Sequence, residues 1–362
     1  MLSTSPPMRA LLHMHSSVPA RCVSNYILTT SCRRTAPLAL GIRAVHSNQP
    51  LSKTRSTSKD RTFSSSAVLK IKEFFPPPKA GHMVETESVF QHPVFTGKQM
   101  KDIVIAHREA KNWSDYIALG TVRTLRWATD LATGYKHPAA GKEGKAPKSF
   151  QMSERKWLIR FIFLETVAGV PGMVGGMLRH LRSLRRMKRD MGWIETLIEE
   201  AYNERMHLLT FLKLAEPGWF MRFLVLGAQG VFFNSFFISY LISPRTCHRF
   251  VGYLEEEAVM TYTHAIKDLE DGKLPRWNNL KAPDIAVKYW NMPAEHDKML
   301  DLLYYVRADE AKHREVNHTL ANLNQRTDPN PYAAVYDNPE APHPTKSAAI
   351  VKPTGWERDD VV

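Results

Sequence analysis

The side chains of this 362-residue chain best spaced for chemistry are carboxylates and imidazoles. Glu204-Arg205-Met206-His207 and Glu310-Ala311-Lys312-His313 both read Glu-x-x-His. On a helix that spacing sets carboxylate and ring on adjacent turns of one face, aimed at a common point. With 21 Glu and 15 His, roughly one such pair arises by chance, and the chain has four. Glu340 and His343 lie in a proline-rich tail. Glu315 and His318 begin five residues after Glu310, a rotation of roughly 140° onto another face. Those two pairs are set aside.

Two lone carboxylates complete the first two pairs. Glu165 sits in the apolar turn Phe161-Ile162-Phe163-Leu164-Glu165, where an unpaired buried charge costs several kcal/mol unless a cation neutralises it. In Leu254-Glu255-Glu256-Glu257-Ala258, only Glu255 falls on the apolar stripe of Val251, Val259, Tyr262 and Ile266. Glu256 and Glu257 point about 100° and 200° away from it. A ferritin-like di-iron site takes Glu-x-x-His from each of two helices and a lone Glu from each of two more. The expected ligands are Glu165, Glu204, His207, Glu255, Glu310 and His313. Carboxylate and imidazole without thiolate suit iron or manganese. Each residue alone fits a surface charge or a satisfied core histidine; the ordered set of six does not.

These residues need helices to carry them. Five long helical segments are predicted near 151–189, 193–214, 217–242, 246–271 and 294–325, and no alternating strand pattern interrupts them. The expected fold is all-α, a ferritin-like di-iron four-helix bundle with extra membrane-surface helices. A further helix over 109–131 mixes Trp113, Tyr116 and Trp127 with Arg123 and Arg126, which suits a headgroup layer and a core-facing amphipathic helix about equally. Residues 136–149, with two Pro, two Gly and four Lys, read as a solvated linker. The expected organisation is a leader over 1–63, an extended arm over 64–108, the bundle over 109–325 and an irregular proline-rich tail over 326–362.

Net charge is +13, but nine Lys/Arg against the single acid Asp60 place +8 of it in residues 1–63. A leader rich in Ser, Thr and Arg without a long apolar run reads as a mitochondrial transit peptide, and Arg61-Thr62-Phe63-Ser64 resembles a matrix-protease cleavage pattern. The expected mature chain keeps only Cys247 of three cysteines, which excludes disulfide scaffolds and cysteine zinc sites. No nucleic-acid partner is expected.

Residues from about 100 to 325 resemble the mitochondrial alternative oxidases, cyanide-insensitive ubiquinol oxidases. The resemblance rests on Leu164-Glu165-Thr166-Val167-Ala168, Asn203-Glu204-Arg205-Met206-His207, Leu254-Glu255-Glu256-Glu257-Ala258 and Arg307-Ala308-Asp309-Glu310-Ala311-Lys312-His313, in that order. It implies two iron ions as cofactor, and ubiquinol and dioxygen as substrates, with water formed and no protons pumped. It also implies a homodimer through Leu178, Arg179, His180, Leu181, Leu184, Arg185, Arg205, Leu208 and Gln229. Tyr262 follows Glu255 by seven residues and stands about 20° from it around the axis. Spacing leaves Tyr262 open between a core aromatic and a redox group, and the resemblance favours the second. By the same resemblance, Asn203, His248 and Asp309 orient ligands, and Arg160, Leu164, Glu257, Ala258 and Thr261 line a ubiquinol pocket. The expected mature chain lacks the regulatory cysteine that the plant enzymes carry upstream of the bundle. That points to the fungal type, where nucleotide stimulation replaces thiol control. A di-iron quinone hydroxylase and an iron-storage bundle are the rival readings.

Residues 223–242 form a run of 20 without a charge, long enough to cross a bilayer. They lie between Glu204 and Glu255, however, and one crossing there would hold those ligands of a single site apart by a hydrocarbon layer about 30 Å thick. The expectation is therefore a monotopic protein on the matrix face of the mitochondrial inner membrane, held to the lipid surface by 217–242 and 109–131.

Overall fold

The computed structural model describes residues 88–133, 152–215, 217–338, 341–348 and 352–362. The leader, the first stretch of the arm, the linker over 136–149 and Glu340 lie outside the described residues. Everything described falls within one compact unit, 78–362.

The architecture is all-helical: α1 (Gly97–Lys101), α2 (Trp113–Thr133), α3 (Glu154–Arg186), α4 (Trp193–Leu214), α5 (Trp219–Ile242), α6 (Pro244–Glu270), α7 (Asp284–Tyr289), α8 (Met299–Asn322) and α9 (Arg358–Val361). The five long segments expected from periodicity are α3, α4, α5, α6 and α8, with ends moved by up to five residues. Beyond them, a Thr96 capping box starts α1 inside the arm. The tail also departs from the expected irregularity, forming a 3-10 turn at Pro331–Ala333 and the short α9.

Helices α3 and α4 pack as one close pair and α6 and α8 as another, and the pairs face each other to make the bundle. Gly172 allows the first approach, because a Cβ there would lie 2.5 Å from the carbonyl oxygen of Leu197. Three residues earlier Gly169 faces the Cβ of Glu204 at 3.5 Å, so the glycine stripe draws the helix carrying Glu165 onto the helix carrying Glu204. Ser243 both ends α5 and accepts a hydrogen bond from the Thr246 N–H at 3.3 Å to cap α6, with Pro244 at the first helical position. This one-residue junction folds α5 back onto α6.

The largest apolar cluster joins Trp157, Phe161, Phe211, Tyr262, Ile266, Trp277, Trp290 and Leu302 beside the bundle axis. Helix α8 is nearly all buried although it carries Arg307, Lys312, Arg314 and Glu315. Its Glu315 carboxylate is satisfied by neighbours: it accepts from Lys312 at 2.9 Å, Tyr332 at 3.1 Å and Trp356 Nε1 at 2.8 Å. The tail thus supplies partners that a polar helix needs in the interior.

Helices α2 and α5 contrast with this. Each buries one edge in a second cluster through Ala118, Val122, Phe236 and Tyr240. Outward they leave Trp113 (68%), Trp127 (67%), Leu131 (71%), Trp219 (80%), Phe223 (67%) and Leu226 (69%) exposed, far more apolar surface than a water-facing helix carries. Helix α3 is also long and apolar enough to cross a membrane, but much of its apolar surface faces the bundle.

Candidate metal centre

Six side chains from four helices converge in the middle of the bundle. Ligand atoms of Glu165, Glu204, His207 and Glu310 lie within 4.8 Å of one another, and so do those of Glu204, Glu255, Glu310 and His313. All six are buried. Glu204 and Glu310 belong to both groups, so two ions side by side would share two carboxylates and keep one Glu and one His apiece.

His207 Nδ1 stands 3.4 Å from Glu204, 3.3 Å from Glu310 and 3.5 Å from Glu165. His313 Nδ1 stands 2.6 Å from Glu204. Yet both nitrogens, both Glu204 oxygens and Glu165 Oε2 lack an aligned hydrogen-bond partner. Orphaned buried acceptors around one point are what cations would satisfy, so the residues present fit a dinuclear metal centre.

Protonation carries the same signature. Burial, with the charges of Glu310 and Glu204, pushes Glu165 up to about 8 and Glu255 well above the carboxylate range. Burial opposes ionisation of Glu204 as well, but the rings of His207 and His313 hold it far below. Burial would discharge those rings, and Glu204 instead raises both well above the ordinary imidazole value. Protons here neutralise a site built from charged groups.

Asp309 orients one ligand. Its Oδ2 accepts from Asn203 at 3.1 Å, Trp290 Nε1 at 2.9 Å and His207 Nε2 at 3.2 Å. Because an ionised carboxylate only accepts, His207 carries its proton on Nε2 and turns Nδ1 to the cluster. His248 stands further off. Burial lowers it to about 4, and it bonds Tyr240 and Asn317, whose amide donates to Glu200 and to the His313 carbonyl oxygen.

Tyr262 donates to Glu165 Oε1 and stacks on Phe161 at 4.8 Å. It therefore belongs to the core and touches a ligand at once. Arg160 is buried and pairs with Asp130 at 2.8 Å. Glu257 pairs with Arg126, itself 3.6 Å from Asp130. This places two of the expected ubiquinol residues in an ion network with the apolar-faced helix α2. Thr261 is buried, and Leu164 and Ala258 are half-buried.

Glu256 stays out of the ligand groups but does not face solvent. It accepts from the Arg108 N–H at 2.9 Å and contacts His318 Nε2 at 2.8 Å and His107 Nδ1 at 2.6 Å. Glu315 and His318, set aside by spacing, belong to buried networks apart from the metal cluster. His343 stands next to the Ala341 carbonyl in the tail. Of the expected dimer residues, His180, Leu181, Leu184, Arg185 and Arg205 are exposed and Leu208 is half-buried. Leu178 faces the core, and Gln229 donates to the Thr166 carbonyl at 2.7 Å. Buried Cys247, its thiol raised by burial to about 12, is no nucleophile. Sequence spacing misses Tyr289, Trp290 and His92, which gather round Asp309 from outside the long helices.

A sequence model of the family described as Alternative oxidase matches residues 95–322. "Alternative oxidase, mitochondrial" of Ajellomyces capsulatus is 79% identical over 309 residues, covering 85% of this chain and 87% of that one. The protein of the same name from Aspergillus niger is 69% identical over 306 residues, covering 84% and 87%. That of Emericella nidulans is 61% identical over 365 residues, covering 100% and 99%. With a family model over more than half of its length, relatives of 61–79% identity and one buried cluster of carboxylates and imidazoles, the chain belongs to the alternative oxidase family of oxidoreductases.

Proposed function

We propose that this chain is a mitochondrial ubiquinol oxidase that oxidises two ubiquinols and reduces one dioxygen to two waters. The observation that carries the reading is the pair of four-ligand groups sharing Glu204 and Glu310. Glu165, His207, Glu255 and His313 would complete the shells of two iron ions. When bound, those irons supply the one-electron and dioxygen chemistry that side chains lack.

The chain's own residues do the rest. Burial keeps bulk water from the cluster, and Asp309 fixes the tautomer of His207. Tyr262 holds its proton against Glu165, where it can pass hydrogen between quinol and the ligand shell. Arg160, Leu164, Glu257, Ala258 and Thr261 are assigned to the quinol headgroup, which reaches them from the lipid through α2. Four electrons and four protons leave two ubiquinols and the same number enter two waters. The balance closes locally and requires no proton pumping.

The exposed faces of α2 and α5 support a monotopic seat on the matrix side of the inner membrane. Glu204 and Glu255 belong to one ligand group, so a crossing by α5 would drag charged α4 and α6 into hydrocarbon. Residues 1–63 are assigned as the transit peptide, 64–108 as the arm, 109–325 as the bundle and 326–362 as the tail. The exposed end of α3, with Leu181 and Leu184, is assigned to the homodimer.

Oxygen uptake by the purified chain with a soluble quinol, in cyanide, tests the reading. A quinol oxidase consumes oxygen and yields unmodified quinone. A hydroxylase leaves oxygen in the organic product, and an iron-storage bundle shows no quinol-dependent uptake.

A further inference from the structure

We infer that His92, delivered by the segment before α1, is a positioning residue for the metal centre that acts on His207 through Asp309. The inference rests on the di-iron reading above. His92 Nε2 lies 2.7 Å from Asp309 Oδ1, across 217 positions of sequence, with both side chains buried.

The two oxygens of Asp309 have separate partners. Oδ2 takes Asn203, Trp290 and His207, and Oδ1 takes His92. A carboxylate turns about its Cβ–Cγ bond, so the bond at Oδ1 joins the three at Oδ2 in fixing the carboxylate plane. With His92 in place, Oδ2 stays on His207 Nε2–H and Nδ1 stays on Glu165, Glu204 and Glu310. Without it, the carboxylate can rotate, and a buried oxygen is left without its donor.

The donor itself is held rigidly. The His92 ring packs edge-on against Phe95 at 4.8 Å, Tyr289 at 5.3 Å and Trp290 at 6.1 Å between centroids. His92 also walls a cavity of about 80 Å³ shared with Phe90, Asn203, Asp309 and His313. The segment therefore covers the flank of α4 and α8 where the ligands sit. Loss of the direct partner of a ligating histidine, here Asp309, changes metal affinity roughly 10- to 100-fold, and His92 acts through that partner.

The test uses the full chain loaded with iron, in three forms. His92→Phe keeps an aromatic ring but loses the N–H; His92→Gln keeps an N–H that can reach Oδ1. The readouts are the rate at which a chelator strips iron and the helical circular dichroism. The expected result is iron loss about tenfold faster or more in His92→Phe with the helical signal unchanged, and a rate close to wild type in His92→Gln. Wild-type retention in His92→Phe overturns the inference. So does equally fast loss in both variants, which would assign the effect to packing. Should His92→Phe fail to fold, His92→Asn, too short to set an N–H where Nε2 sits, replaces it with the same expected and contrary results. A wild-type chain that binds no iron overturns the di-iron reading itself, a different failure from either of these.

Discussion

Glu204 on α4 and Glu310 on α8 stand 106 positions apart in sequence, yet each contributes an oxygen to both ligand groups of the centre. Every other ligand serves one group only. The two shared carboxylates are also the pair whose ionised forms are favoured, held low by the rings of His207 and His313 against burial. That asymmetry among chemically identical residues would sort shared from single-group ligands in a dinuclear centre.

Glu256 separates fold from metal. Its buried carboxylate joins residues 107–108 to His318 and lies outside both ligand groups. Glu256→Ala is expected to keep iron while losing about 1–3 kcal/mol of stability, the cost of unpaired buried donors. Iron content and chemical denaturation measured together check this; loss of iron from a folded variant would move Glu256 into the centre.

Tyr262→Phe removes one hydroxyl that donates to Glu165 and leaves the stack with Phe161 intact. The expected outcome is full iron occupancy and a normal melt, with most quinol turnover lost. Wild-type turnover would return Tyr262 to a purely structural role.

The pH dependence of the metal-free protein follows from the same cluster. Burial lifts Glu165 from 4.5 unfolded to about 8 folded, and His207 and His313 are lifted well above their ordinary value. A raised folded pKa contributes stability below the unfolded pKa and loses it as pH rises through the folded one. Metal-free protein should therefore melt progressively lower as pH rises from about 6.5, where the unfolded histidines discharge, through about 8, where folded Glu165 ionises, while bound iron, which replaces those protons, suppresses the fall. Melting curves of both forms across that range check the divergence; parallel curves would contradict it.

Membrane seating has its own readout. Tags at Lys213, at the end of α4, and Lys267, near the end of α6, should both be accessible in inverted inner-membrane vesicles. One accessible and one protected would mean that α5 crosses, and the shared ligand cluster could not stand.

How much of this is legible in the sequence depends on periodicity. Glu165, Glu255 and the two Glu-x-x-His pairs can be placed because helical spacing fixes which residues share a face. Spacing also keeps Glu256 off the ligand face, but it cannot show that residues 107–108 and His318 cover that carboxylate. Burial of an outward face depends on what packs there, and that partner is distant in sequence. His92 and Trp290 escape for a related reason: one precedes α1 and the other follows the short α7, where no repeat predicts direction. The tail looks irregular from its prolines, yet Trp356 and Tyr332 supply the hydrogen bonds that let polar α8 lie buried.

Iron counted per folded chain tests the shared-carboxylate centre most directly. Two irons are expected in the wild type, essentially none in Glu204→Ala or Glu310→Ala, and no more than one in Glu255→Ala, which strips a terminal ligand from a single group. Two irons retained in folded Glu204→Ala or Glu310→Ala would contradict it.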